Sequence, residues 1–191
     1  MKMEQTINDA EIIQGVQKGD RDSFAKLFHI YYSDLFAFVL RYTGSSEVTE
    51  DLMQDIFLSI WHHRTTWSPS GKLRPYLYKT ARNRTLDYLR SYKVKKEWET
   101  EAQYIGLPHS ESPADIIHDR ESYDEMAEAI EDAIKKLPDS RKMVFLLNRE
   151  DGLTYQEIAE VLNISVKTVE TQMGRSIKTI RQHLLECLPS E

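Results

Sequence analysis

Asp51 and Asp55 stand four residues apart, with His62 and His63 a short way on. Carboxylates and imidazoles are the usual acids, bases and metal ligands. Four residues is about one helical turn, so the two carboxylates share a face, whereas His62 and His63 point about 100° apart. No metal-ligand spacing recurs elsewhere. An exposed like-charge pair at this spacing costs a few tenths of a kcal/mol, roughly. Three roles stay open for it: a solvated surface, a catalytic or metal-binding pair, or a mixed acidic and apolar docking face. In the last, Leu58 and Trp61 are anchors and Gln54 flanks them. The chain has no dinucleotide fingerprint, phosphate loop, HExxH or Ser-His-Asp order. Cys187 is the only cysteine, which excludes a disulfide framework and a cysteine-based metal site. No catalytic residue, metal, cofactor or small-molecule substrate is expected.

A second set suits phosphates and bases. Lys79, Arg82, Asn83, Leu86, Arg90 and Lys93 fall within a helical sector of about 100°. Trp67, Tyr76, Tyr78 and Tyr92 are interleaved with them. Cations hold a nucleic-acid backbone, and rings stack on unpaired bases for about 1–3 kcal/mol each. Trp67 has two possible roles, since it either plugs the local core or stands ready to stack. The plain alternative for the whole set is a basic solvated helix face.

A third set lies in LTYQEIAEVLNISVKTVETQMGRSIKTIRQHL, residues 153–184. Thr154 caps a helix with Ile158, Ala159 and Leu162 on one face. Asn163 supplies the turn, because Asn tolerates left-handed backbone angles. Ser165 caps a second helix, with Val166, Val169, Met173, Ile177, Ile180 and Leu184 inward at a helical period. Thr168, Thr171, Arg175 and Lys178 project opposite that stripe, with Lys167 beside them. This is the pattern of a helix-turn-helix whose second helix enters a DNA major groove. An ordinary helical hairpin with a solvated face is the alternative. Glu170 argues mildly against DNA, and Gly174 weakens the helix by about 1 kcal/mol.

Net charge is −6 over 191 residues, which taken whole would argue against nucleic acid. Taken in blocks it does not: residues 1–63 carry −5, 64–96 carry +9, 97–132 carry −11 and 133–191 carry +1. A basic block followed by an acidic one calls for different partners or mutual screening. The sequence has no signal-peptide core and no apolar run of membrane-spanning length, and with its single cysteine it fits the cytoplasm without membrane insertion.

The elements that must position these groups are helical throughout, so an all-α fold is expected. Asn8 or Asp9 caps a short helix over 10–18, and Gly19-Asp20 breaks it. Helices follow over 22–42, 47–64 and 73–96, with Pro75 tolerated in the first turn of the last. The aromatics Phe24, Phe28, Tyr31, Phe36 and Phe38 read as packing. In 73–96, Leu77, Ala81, Tyr88 and Leu89 face the core. Turn formers and acids after residue 97 read as a linker. Helices resume over 121–136, with Met126, Ala129, Ile130, Ala133 and Leu137 inward, and over 141–150, capped by Ser140. Two small helical domains result, 1–97 and 121–188, joined by an acidic linker over 98–120.

Four motifs occur in order: EDLMQDIFLSIW at 50–61, RPYLYKTARNRTLDYLR at 74–90, KKLPDSRKMVFLLNREDGLTYQEIAEVLNIS at 135–165 and VKTVETQMGRSIKTIRQHL at 166–184. Together they resemble the sigma-70 family, and more narrowly its extracytoplasmic-function subfamily, which keeps only region 2 and region 4. The resemblance implies an alternative sigma factor. Such a protein binds core RNA polymerase, directs it to promoter DNA and helps open it. The helix with Asp51, Gln54, Asp55, Leu58 and Trp61 would dock on the polymerase clamp helices. The loop and helix holding Trp67, Tyr76, Lys79, Arg82, Asn83 and Arg90 would read the minus-ten element, with Asn83 at a base-contacting position. The second region 4 helix, with Lys167, Thr168, Thr171, Gln172, Arg175 and Lys178, would read the minus-thirty-five element. The acidic linker would thread toward the polymerase channels. An anti-sigma protein is a further partner the resemblance implies. Glu170, Gln172 and Gly174 depart from the basic or bulky residues common among relatives. The competing reading is a helix-turn-helix regulator that binds operators as a dimer without polymerase.

Overall fold

A computed structural model describes residues 8–69, 71–99 and 121–187, with 93–99 and 121–127 by backbone alone. These residues form eight helices and no strand. The linker expected over 98–120 falls almost wholly outside them, as does the expected inward side chain of Met126. The chain divides into two units, Met1–Glu111 and Ser112–Glu191.

In the first unit, α1 (Asp9–Gln17) is short, and its buried residues are Ile12 and Val16. Gly19, at φ 80°, turns the chain. Asp20 does more than break the helix: it caps α2 (Arg21–Thr43) by accepting from the amides of Asp22 and Ser23. The Ser23 hydroxyl and amide hold the Asp20 carboxyl below the usual carboxylate range. α2 ends at Gly44, whose φ of 65° is a left-handed stop, and Ser45 starts α3 (Ser46–His62). α4 (Leu73–Glu99) completes the unit and packs on both α2 and α3. Leu27, Leu35, Phe38 and Val39 of α2 meet Met53 and Ile56 of α3 and Leu77, Tyr78 and Ala81 of α4 in the core, all of them almost fully buried. Each large apolar side chain so buried is worth about 1.5–3 kcal/mol. The buried hydroxyls Thr49 and Thr85 donate to the carbonyls of Ser45 and Ala81 one turn back, at 2.7 and 2.8 Å. No polar group is thereby stranded at those two places.

Two details differ from the sequence reading. Asn8 takes the N-cap place of α1 but makes no side-chain capping bond, and Asp9 turns away to other helices. Tyr78 is fully buried against Phe38, with ring centroids 5.1 Å apart, so it is core and not a stacking surface.

In the second unit, α5 (Glu121–Lys135), α6 (Asp139–Arg149) and α7 (Tyr155–Leu162) all pack on α8 (Val166–Cys187). Thr154 and Glu157 form a reciprocal capping box: Thr154 Oγ1 accepts from the Glu157 amide at 3.3 Å, and the Thr154 amide donates to Glu157 Oε2 at 2.9 Å. Asn163 is the only non-glycine among the described residues with positive φ, at 56°. It closes α7, its amide bonding Ala159 O. Ser165 then caps α8, taking the Thr168 amide at 3.0 Å. At α6, Pro138 and not Ser140 holds the cap place, because a proline just before a helix needs no amide partner.

The inward stripe of α8 is also corrected. Val166 is 40% exposed and Ile177 38%, while Val169, Met173, Ser176 and Ile180 are buried. Their spacing of 4, 3 and 4 is a tighter fit to 3.6 residues per turn than a stripe that takes Ile177. The hydroxyl of Ser176 fits because α6 passes close by: Oγ donates to Gln172 O at 2.9 Å and reaches Arg141 O at 3.4 Å. Ile130, expected inward on α5, is 37% exposed, leaving Ala133, Leu137 and Ile180 as the local core with Ile134, Phe145 and Leu184 against it.

Candidate functional site

Three polar faces stand opposite buried stripes. On α3, Leu52, Met53, Ile56, Phe57 and Ile60 face inward, which turns Asp51, Gln54, Asp55 and Leu58 out into solvent. Leu58 is 46% exposed, a large apolar side chain one turn beyond the carboxylate pair. Trp61 is half-buried at the end of this face. The Phe24 ring lies 4.9 Å from it, and the Arg64 guanidinium sits 4.9 Å over it. His63 Nδ1 bonds Ser59 O at 2.9 Å, a backbone contact, and no group of three possible metal ligands is found among the described residues.

On α4, Leu73, Leu77, Tyr78, Ala81 and Thr85 face the core. Lys79, Asn83, Arg84 and Arg90 are exposed, and Tyr76, Arg82 and Leu86 half-buried. Arg90 pairs with Asp87 at 3.2 Å, but both are largely exposed, so the pair is weak and readily exchanged for a phosphate. Arg84, absent from the sequence reading, adds an exposed cation beside Asn83. It falls outside the sector that carries the others, which is why periodicity does not pick it out. Lys93 lies outside the described side chains. Tyr92 is exposed and stacks on Tyr88 at 6.1 Å.

Trp67 is corrected. It is 5% exposed, edge-on to Tyr76 at 6.3 Å, and its indole N–H has no hydrogen-bond partner. Of its two possible roles it fills the plug, and its ring is not free to stack on a base. It closes one end of the loop before α4, and Asp9 closes the other. Asp9 Oδ2 accepts from the Leu73 amide at 3.1 Å, capping α4, and its Oδ1 accepts from the Tyr31 phenol at 3.2 Å. Burial first, and then the Asp9 carboxylate, raise the Tyr31 phenol well above the usual tyrosine range. Sequence patterns do not show this role of Asp9, because its partners lie 22 and 64 residues away.

On α8, Lys167, Thr171, Arg175 and Lys178 are exposed, and Thr168 and Gln172 half-buried. Lys167, Thr168, Thr171, Gln172 and Arg175, with Ser165, line one shallow, open depression along the helix. Thr171 Oγ1 donates to Lys167 O at 2.8 Å, so this hydroxyl is held against its own helix. Gly174 is exposed, with open space where a side chain would stand.

The order of these faces matches two family models, sigma-70 region 2 over residues 27–94 and sigma-70 region 4 over residues 127–180. The chain is 31% identical over 178 residues to the ECF RNA polymerase sigma factor SigW of Bacillus subtilis, covering 90% of this chain and 94% of that one. It is 26% identical over 183 residues to the ECF RNA polymerase sigma-E factor of Escherichia coli, covering 93% and 95%. Two solved structures share the fold. One is CnrH in complex with the cytosolic domain of CnrY, with a TM-score of 0.62 at 21% identity, covering 92% of this chain and 96% of that one. The other is the sigma factor RpoE of Bartonella quintana in complex with the anti-sigma factor NepR, with a TM-score of 0.61 at 15% identity, covering 84% and 96%.

The fold and these matches define an RNA polymerase sigma factor of the sigma-70 family. Within that family the chain belongs to the extracytoplasmic-function subfamily: it is an alternative sigma factor, without catalysis of its own, that acts with core RNA polymerase on promoter DNA. Nothing in the matches supports a regulator that works on operators independently of polymerase. Among the described residues no helix is long and apolar enough to cross a membrane.

Proposed function

We propose a division of labour among the three faces. Asp51, Gln54, Asp55, Leu58 and Trp61 dock on core polymerase. Tyr76, Lys79, Arg82, Asn83 and Arg90, with the loop before them, hold and read the minus-ten element as it opens. Lys167, Thr168, Thr171, Gln172, Arg175 and Lys178 read the minus-thirty-five element as duplex. The protein works in the cytoplasm, over domains 1–97 and 121–188 with an acidic linker over 98–120. An anti-sigma protein controls it, as suggested by the neighbour solved with one.

The observation that carries this reading is the coincidence of each exposed polar face with its family segment. α3 and the polar face of α4 up to Arg90 fall in the region 2 match and the polar face of α8 in the region 4 match. The docking face mixes carboxylates with an exposed leucine and a half-buried tryptophan, the composition of a protein contact more than of a nucleic-acid contact. The two DNA faces are cationic and amide- or hydroxyl-bearing, as phosphate and base contacts require. The test is transcription in vitro with core polymerase and this chain on a genomic promoter library. A promoter-specific transcript that needs both is the expected result. Protection of a symmetric site by the chain alone, with no such transcript, would overturn it.

A further inference from the structure

We propose that α1 is a strap that sets the loop ahead of α4, with Gln17 and Asp9 as positioning residues for minus-ten recognition. The idea rests on the reading of that loop and α4 given above.

α1 has nine residues, too few to hold as a helix by itself. Its two ends are committed to one distant segment. Gln17 Nε2 donates to Trp67 O at 2.8 Å, across 50 residues. Asp9 Oδ2 accepts from the Leu73 amide at 3.1 Å, across 64 residues. The residues between those two anchors include the exposed Ser68, Gly71 and Lys72. Gly71 has φ 79° and open space where a side chain would stand, so the turn there is held by no side chain of its own.

Each anchor is itself braced. The Asp9 carboxylate also accepts the buried Tyr31 phenol of α2. At the other stem, the Trp67 ring is plugged beside Tyr76 and its amide donates to Arg64 O at 3.3 Å. α1 is kept close to α2 at Gly15, where an added Cβ would lie 2.5 Å from Ser23 Cβ. The stems are thus fixed from α1 while Ser68, Gly71 and Lys72 between them are exposed. A loop fixed in this way cannot readjust to fit a changed base, so the changed base loses contacts that the correct one keeps.

The experiment uses holoenzyme and a panel of promoters, each with one base changed in the minus-ten element. The readout is the ratio of transcript from the unchanged to the changed promoter. Gln17→Ala narrows this ratio roughly three- to tenfold, the range that one net hydrogen bond supplies. Gln17→Lys, which keeps a donor of similar reach, restores it to within about twofold on the same basis. Affinity for core stays at the wild-type level in both, and the thermal midpoint falls by no more than the few degrees, roughly, that one hydrogen bond contributes. If Gln17→Ala leaves the ratio unchanged while Asn83→Ala alters it, the strap is refuted and the minus-ten reading stands. If neither Asn83→Ala nor Tyr76→Ala alters the ratio, the minus-ten reading falls and the strap with it. A loss that tracks a lower thermal midpoint and weaker core binding, and that Gln17→Lys fails to restore, makes Gln17 a merely structural residue and overturns the proposal.

Discussion

The polar faces of α4 and α8, the two proposed to read DNA, are built to different rules. α4 exposes Lys79, Asn83, Arg84 and Arg90, with Tyr76 half-exposed and Asp87 the only acid between residues 64 and 96. α8 presents shorter polar groups among its cations, the exposed Thr171 and the half-buried Thr168, and carries Glu170 and Gly174 besides. Long cationic side chains with a ring nearby suit a flexible strand, whose backbone must be caught at variable distances and whose bases are free to stack. Short hydroxyls on a straight helix suit a duplex, since the helix must come close for them to reach base edges. The stems differ as well. The loop before α4 is tied to a separate helix across 50 and 64 residues, whereas the turn before α8 is tied locally by Asn163 and Ser165. On the proposed assignment, the contrast means that affinity in α4 would rest on charge and a braced loop, and in α8 on closeness of approach.

The largest expected effect would separate both DNA faces from the polymerase face. Asp51→Arg with Asp55→Arg reverses two exposed charges and should weaken core binding by more than about tenfold, since like-charge juxtaposition at an interface costs several kcal/mol. Both side chains are exposed, so the fold should hold. Affinity for core by fluorescence anisotropy, with circular dichroism as the fold control, is the measurement. Unchanged affinity removes the docking assignment. Next in size is Asn83→Ala. Loss of one base contact should reduce promoter opening, read by permanganate reactivity of unpaired thymines, about tenfold, or roughly 1–3 kcal/mol. Duplex binding of the holoenzyme should change much less. An equal loss in both would erase the distinction drawn between α4 and α8.

Much of this contrast is legible in the residues themselves, for a physical reason. Caps and turns are local, so the residue types of Thr154, Asn163 and Ser165 suffice to mark the helix-turn-helix. The apolar period likewise places Asp51 and Asp55 on the outside of α3 and Lys79 and Asn83 on the outside of α4. What fails is whatever depends on a distant partner. Trp67 and Tyr78 have the chemistry for stacking, but whether a ring is buried is decided by helices elsewhere in the chain. Hydrophobicity alone ranks Ile177 inward of Ser176, while close packing against α6 favours the smaller residue. Asp9 is a capping residue type at the first position of its own helix and is instead the cap of α4.

A smaller effect tests the charge side of the comparison. Arg175→Ala should weaken duplex binding by the second unit and reduce the slope of log affinity against log salt by about 1, the value of one phosphate contact. Arg84→Ala in α4 should lower holoenzyme affinity for a forked or single-stranded minus-ten fragment in the same way. An unchanged slope in the first case would mean that Arg175 faces no phosphate.

The smallest effect concerns Gly174. It lies one turn along α8 from Thr171 and Lys178, and an added Cβ would meet nothing within 4 Å. In the free protein, Gly174→Ala should therefore stabilise α8, by up to about 1 kcal/mol on helix propensity alone. The thermal midpoint should rise by a few degrees, on the order of what that energy yields in a domain of this size. If closeness of approach governs α8, the same methyl group should lower affinity for minus-thirty-five duplex even as it raises stability. Stability and binding moving in opposite directions at one residue would separate the requirements of the fold from those of the groove. Movement of both upward would place Gly174 away from DNA and leave the short hydroxyls of Thr168 and Thr171 without the close approach they need.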